Sequence, residues 1–262
     1  VPDLMPVLFI TIACGAISGF HSLASSGTTV KQVDREKDTL FIGYGGMLWE
    51  SFLAVLVIMA VAGGLGLGLE RNGQLFTGLD AFRQQYASWT AFSGIDAKLE
   101  AFVIGSSNLF SSFGIPPLVG KSMIAVFIVS FANTTLDSAA RIQRLSLQEI
   151  FKDSEGKVRK PVNNRYAATA FVVVAAMIMA FLKPGATGAM ILWPLFGSLN
   201  QLLAALALGI VTIYLHQKQK NILITGIPMI LVLFVTVWAM IKNLVYFVAE
   251  DDLGLTIMSM II

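Results

Sequence analysis

Residues 14–29 read CGAISGFHSLASSGTT, which places one histidine, four serines, two threonines and three glycines inside an otherwise apolar run. Backbone of this kind survives at membrane depth only where it is buried in protein or lines a water-filled cavity. A helix that stops near Ser18 and restarts after Gly19 leaves carbonyls unpaired on one side and N–H groups unpaired on the other. Such carbonyls suit a cation, and the amides of a new helix start suit an anion. The expected substrate contacts are therefore Ser18, Gly19, Phe20, His21, Ser22, Ser25, Ser26, Gly27 and Thr28. Histidine is the residue type that changes charge near neutral pH, so His21 is also a candidate for ion coupling. The plainer alternative has His21 satisfying carbonyls freed by the kink.

Further polar groups lie inside other apolar runs. Glu50 is an intramembrane carboxylate, which is expensive and functional by default; the alternative is a capping or pairing role near the inner interface. In SFANTTLDSAARIQRLSLQEI, helical spacing sets Ser130, Asn133, Thr134, Asp137 and Arg141 on or near one face. One reading makes Asp137 and Arg141 an intrahelical pair. The other makes Asn133, Thr134, Thr135 and Asp137 a polar face opposite the broken helix. Asn200 and Gln201, near the middle of a later run, are amides of the sort that join membrane helices by hydrogen bonds.

Other chemistries are poorly supported. Ser, His and Asp are all present, but there is no nucleophile elbow of the G-x-S-x-G type and no H-E-x-x-H, so the chain is not expected to be an enzyme. One cysteine, Cys14, and two distant histidines, His21 and His216, argue against a disulfide framework or a metal site, and Cys14 reads as a small packing residue. A net charge of +2 is too small to suggest nucleic acid. A channel lacks a filter or a charged ring.

The elements that position these groups are membrane spans. The chain is 56% hydrophobic and 13% charged, with mean hydropathy +0.75. Its apolar residues come in blocks of bilayer length, which predicts an all-α membrane protein of about six transmembrane helices, the first discontinuous. The spans fall at 2–19 with its break, 40–69, 116 to at least 136, 166–182, 189–215 and 222–248, and residues 1–262 form a single transmembrane domain. Residues 70–117 are mixed, with Arg71, Asp80, Arg83, Asp96, Lys98 and Glu100 among Phe76, Phe82, Tyr86, Trp89, Phe92 and Phe102. A structureless loop of that length is uncommon, so the segment is expected to form an extracytoplasmic lid or gate, or an interfacial helix pair with no gating role. Three segments (31–38, 141–165 and 216–221) carry twelve of the 18 Lys and Arg. The positive-inside rule makes that side cytoplasmic. Asp3, the 70–117 segment, Lys183, Glu250, Asp251 and Asp252 then lie on the other side. Residue 1 is Val, and the last apolar run stops short of a span, so the expectation is part of a longer chain.

Four strings, CGAISGFHSLASSGTT, GYGGMLWESFLAVLVI, SFANTTLDSAARIQRLSLQE and LFGSLNQLLAALAL, occur in the order found in the carbon starvation protein A family of bacterial and archaeal membrane transporters. The chain resembles the C-terminal part of that family over most of its length, least so at 70–115. The resemblance implies a multi-pass protein of the cytoplasmic (inner) membrane that takes up small carboxylates or short peptides, such as pyruvate or peptides, during carbon starvation. It further implies a LeuT-like fold of the amino acid, polyamine and organocation (APC) superfamily, of which this chain is the second-repeat portion. By the same analogy 70–117 matches an outer gating hairpin, and Thr134 and Thr135 are the nearest equivalents of sodium ligands. The implied ion-coupling set is His21, Glu50, Asn133, Thr134, Thr135 and Asp137, with H+ or Na+ transported and no cofactor. The implied partners are the small-molecule substrate, the lipid bilayer and the remaining N-terminal part of the same transporter. The alternative function is a membrane nutrient sensor that binds the same ligands without moving them.

Overall fold

The computed structural model describes residues 4–88, 95–184 and 188–261. Asp3, Trp89 and Phe92, together with residues 185–187 of the join after the fourth apolar run, lie outside the described residues. In chain order, a π turn at Leu4–Leu8 leads into α1 (Phe9–Ala16), followed by α2 (Gly19–Gly27) and a 3-10 turn at Thr29–Lys31. The second apolar stretch begins at a 3-10 turn, Glu36–Asp38. It then passes through a π turn (Phe41–Gly45), α3 (Gly46–Ile58), a second π segment (Met59–Gly64) and a 3-10 turn (Leu65–Leu67). Strands β1 (Leu69–Arg71) and β2 (Gln74–Phe76) come next, then α4 (Gly78–Gln85), α5 (Ile95–Ser112) and α6 (Pro117–Ile150). The remainder is α7 (Arg165–Phe181), a 3-10 turn (Gly188–Leu192), α8 (Trp193–Gln217), α9 (Leu223–Ala249) and α10 (Leu253–Ile261).

Five helical stretches among the described residues are long and apolar enough to cross a bilayer: Leu4–Lys31, Glu36–Leu67, Pro117–Ile150, Leu195–Gln217 and Leu223–Ala249. Where the fourth of six spans is expected, the chain forms a shorter apolar helix, α7 (Arg165–Phe181), which falls below that length. Large apolar side chains such as Phe41, Trp49, Phe171, Ile224 and Phe234 face outward, while Gln201, Thr236 and Ser198 are buried. That arrangement inverts a water-soluble protein and fits a lipid solvent, where polar groups must find partners inside.

The chain divides into two units. The first comprises Val1–Gln32 and Ser138–Ile262. Its centre is the α8/α9 pair, joined by five residues that include the αL residue Gln219 (φ 54). Ala204, Ala205, Val232, Val235, Thr236 and Ala239 are buried there. Thr212 and Thr225 share a hydroxyl hydrogen bond of 2.8 Å, and Asn243 Nδ2 donates to Ser198 Oγ at 3.2 Å. Helix α1 packs on this pair through Phe9 and Ile10 against Val235 and Ala239. Helix α10 closes the other end, with Leu255 against Leu195 and Phe247, and Asp252 caps it by accepting from the Leu255 amide at 3.0 Å.

The second unit, Val33–Asp137, is built around the irregular end of the second stretch. Strands β1 and β2 pair antiparallel, Leu69 opposite Phe76. Asn72 (φ 52) and Gly73 (φ 74) form the turn, and two consecutive positive φ values match the strands' twist. Leu65, Leu69 and Ala81 form a core with Phe76, Tyr86 and Ile104. Arg71 donates to Gln85 Oε1 at 2.8 Å and pairs with Glu100 at 3.2 Å, while Gln85 Nε2 donates to the Ala97 carbonyl, so hairpin, α4 and α5 are tied together. Glycines bring α5 against the second stretch: a Cβ at Gly105 would overlap the Ala60 carbonyl, and one at Gly64 the Gly105 carbonyl. This is the close backbone approach that small residues allow in lipid.

Candidate functional site

Helix α1 ends because Ile17 (φ −134, ψ 104) and Ser18 (φ −120, ψ 130) are extended. Helix α2 restarts at Gly19. The expected break near Ser18 and Gly19 is thus present, two residues wide, between an eight-residue and a nine-residue helix. Two extended residues at this depth release backbone groups that need partners.

Those partners come from α8. Asn200 Oδ1 accepts the Phe20 amide at 2.7 Å, a first-turn N–H of α2. Its Nδ2 donates to Cys14 Sγ at 2.8 Å and to Ser18 Oγ at 3.0 Å. One carboxamide therefore holds the last turn of α1, the break itself and the first turn of α2. Gln201 Nε2 donates to the Ile17 carbonyl at 2.9 Å, whereas its Oε1 is buried with no partner. Gly19 makes the close approach possible, since a Cβ there would overlap the Asn200 carbonyl and lie 2.6 Å from Leu203 Cβ. Beside this joint an apolar groove of about 370 Å³ runs between α2 and α8, lined by Phe20, Leu23, Phe196, Leu199 and Leu203 with Asn200 as its polar member.

The hydroxyls of the stretch are turned back on their own helix. Ser22 donates to the Gly19 carbonyl at 2.7 Å, Ser25 and Ser26 to that of Ser22 at 2.9 Å, and Thr28 to that of Ala24 at 2.7 Å. Such back-bonding satisfies the hydroxyl proton and leaves oxygen lone pairs for another donor or a cation. His21 is exposed, its ring 6.5 Å from that of Phe20. Gly27 sits at the end of α2, where a Cβ would meet Ile142 at an ordinary 3.8 Å.

The residues expected from the sequence fall into two groups, one in each unit. Ser18, Gly19, Phe20, His21, Ser22, Ser25, Ser26, Gly27 and Thr28 lie in the first, on or beside α2. Glu50 on α3 and Asn133, Thr134, Thr135 and Asp137 on α6 lie in the second, all exposed. Thr134 and Thr135 donate to the Ser130 and Phe131 carbonyls at 3.0 and 3.1 Å. Asn200 and Gln201 do join helices, as read from the sequence, but their attachment to the break was not foreseen. Adjacent amides in the middle of an apolar run were the available signal. Cys14, read as packing, is also an acceptor at the joint.

A family model described as carbon starvation protein CstA matches residues 2–68 and 74–239, and its gap falls on β1 and the hairpin turn. A Helicobacter pylori protein named peptide transporter CstA is 32% identical over 281 residues, covering 93% of this chain and 40% of the relative. A Mycobacterium tuberculosis protein of the same name is 31% identical, covering 96% of this chain and 38% of the relative. The Escherichia coli pyruvate/proton symporter BtsT is 30% identical, covering 90% and 40%. These names are those of transporters, not enzymes. The chain spans about two fifths of the length of these relatives. No solved structure matches it.

Proposed function

The chain belongs to the carbon starvation protein CstA family, and from that premise we propose that it is part of a secondary active transporter for small carboxylates or short peptides, with the α1/α2 break as one half of its substrate site. The observation that carries this reading is the break itself, where a nine-residue helix start, an apolar groove and an unpartnered amide oxygen meet. Discontinuous helices supply substrate and ion sites in many secondary transporters because their ends present unpaired backbone dipoles. The α2 end suits a carboxylate, which pyruvate and a peptide C-terminus share, and the groove suits an apolar remainder. Ser18 to Phe20 form the contact at the helix start. His21, Ser22, Ser25, Ser26, Gly27 and Thr28 extend it along α2.

Coupling is to H+ or Na+, with His21, Glu50, Asn133, Thr134, Thr135 and Asp137 as the candidate groups. A proton is supported by one relative's name, pyruvate/proton symporter. Six spans in the inner membrane, basic loops cytoplasmic, follow from apolar length and the Lys and Arg distribution. The LeuT-like second repeat and the gating role of 70–117 rest on fold-level analogy. The rest of the transporter supplies the other half of the site. Relatives named as transporters favour carriage over sensing. The test is uptake of labelled pyruvate and of a dipeptide by the full-length protein in proteoliposomes under imposed proton or sodium gradients. Accumulation that falls at least about tenfold in His21→Ala and Ser26→Ala, with normal membrane insertion, supports the site. Normal kinetics in both variants removes α2 from it, and binding without accumulation favours a sensor.

A further inference from the structure

We propose that Gln201 is a two-position tie: here it holds the α1/α2 break closed through the Ile17 carbonyl, and when the break opens its amide oxygen takes the Thr236 hydroxyl on α9. The inference rests on the reading of the break as part of the transport site. Helices α8 and α9 are joined by a seam of polar side chains. Towards one end Thr212 and Thr225 share a hydroxyl bond of 2.8 Å, and towards the other Asn243 Nδ2 donates to Ser198 Oγ at 3.2 Å. Gln201 and Thr236 lie between these bonded rungs. Gln201 is eleven residues before Thr212, and Thr236 is eleven residues after Thr225. Eleven residues make three helical turns to within about 20°. Gln201 therefore lies on the α8 face that meets α9, and Thr236 on the α9 face that meets α8. They form a third rung, and it is open: among the described residues, Gln201 Oε1 and Thr236 Oγ1 are the buried side-chain atoms without a partner.

The two atoms are chemically complementary, since a hydroxyl donates and an amide oxygen only accepts. Both residues are sealed from water, Thr236 at 0% and Gln201 at 1% exposure, so each unpaired atom keeps the full cost of its desolvation. Gln201 is held away from the seam by the break. Its Nε2 donates to the carbonyl of Ile17 at 2.9 Å, and Ile17 is the extended residue that ends α1. Helix α1 also touches the Thr236 helix directly, with Ile10 packed on Val235 and Ala239, so movement of α1 is felt at the same level of α9. Releasing Ile17 loses one bond from the carboxamide and lets it turn until Oε1 meets the Thr236 hydroxyl, which gains one. Such a near balance is the condition for an element with two discrete arrangements. Opening thus frees the Ile17 carbonyl at the break while the seam gains its third rung. Buried polar groups are ordinarily satisfied in the resting fold; this pair is satisfied only when α1 and α2 move.

The experiment compares Thr236→Val and Thr236→Ser with wild type in the full-length protein. Initial uptake rates of labelled pyruvate and of alanyl-alanine are measured in proteoliposomes, and thermal unfolding midpoints in detergent. Valine keeps the shape of threonine and removes the hydroxyl. Because that hydroxyl is unpaired in the closed arrangement, the Thr236→Val midpoint stays at the wild-type value or rises by up to about 4 °C. The open arrangement loses its bond, its population falls, and KM rises about tenfold. Thr236→Ser retains the hydroxyl and keeps KM within about twofold of wild type. A lowered midpoint in Thr236→Val, or failure of that variant to insert, means that the hydroxyl is bonded in the closed fold and overturns the proposal. An unchanged KM in Thr236→Val overturns it as well, and so does a KM raised as far in Thr236→Ser. Wild-type protein that accumulates neither probe removes the transport reading and this inference together, whereas normal wild-type uptake with an unmoved Thr236→Val KM removes only the inference.

Discussion

Among the described residues, two interruptions of apolar helices are repaired differently. At the α1/α2 break, Asn200 reaches from α8 to both sides, and the neighbouring Gln201 keeps an acceptor unpaired. At the end of the second stretch, Asn108 Nδ2 reaches from α5 to the Gly64 and Gly68 carbonyls at 3.0 and 2.6 Å, and Tyr86 donates to the Val61 carbonyl at 3.0 Å. Both joints use an asparagine from a neighbouring helix and a glycine contact. The second matches donors to freed carbonyls and packs backbone on backbone. The first leaves capacity over and carries a groove alongside. The difference is thus a buried side-chain acceptor, Gln201 Oε1, left unpaired at the first joint, whereas among the described residues the second joint has no buried side-chain atom without a partner.

Substitutions at the two joints test that distinction. The largest effect is expected for Gly105→Leu, which has no space against the Ala60 backbone: overpacking of about 3 kcal/mol or more should leave little folded protein, read as the monodisperse fraction in detergent. Asn108→Ala removes both donors at the second joint and should lower stability by about 2 to 3 kcal/mol in thermal unfolding. Uptake should then fall only in proportion to folded protein, with KM unchanged; a shifted KM would make the second joint a site as well. Tyr86→Phe should lose about 1 kcal/mol by the same measurement. Burial pushes the Tyr86 phenol above its ordinary value, so the fold favours its neutral form. That contribution is intact below pH about 10 and declines as pH rises through 10, where the unfolded chain ionises first. An alkaline loss of stability in wild type that is absent in Tyr86→Phe checks the sign. Smallest is Ser26→Ala: its back-bonded, exposed hydroxyl contributes less than about 0.5 kcal/mol to stability, so any large loss of uptake there reports on ligand contact.

Several elements were legible before the fold was known. Proline at 116 and 117 marks the start of α6, observed at Pro117. Apolar length locates α8 and α9 within a few residues. The break was visible because glycine, serine and histidine cannot continue an apolar run cheaply. The hairpin was missed although Asn72-Gly73 is a strong turn signal, because the preceding glycines read as the end of a span. The packing of α5 was hidden for another reason: Gly64 and Gly105 are far apart in sequence, and their contact depends on two helices meeting.

The amino-acid sequence by itself determined that this chain lives in lipid, that its first span is discontinuous at Ser18 and Gly19, and which polar groups lie inside apolar runs. These follow from local composition, since transfer to a bilayer depends on the residues of each segment. Only the tertiary structure decided that Asn200 spans the break, that Gln201 keeps an oxygen unpaired, and that the α2 hydroxyls turn inward on their own helix. A hydrogen bond needs its partner within about 3 Å at the right angle, and for residues some 180 positions apart no spacing rule supplies that.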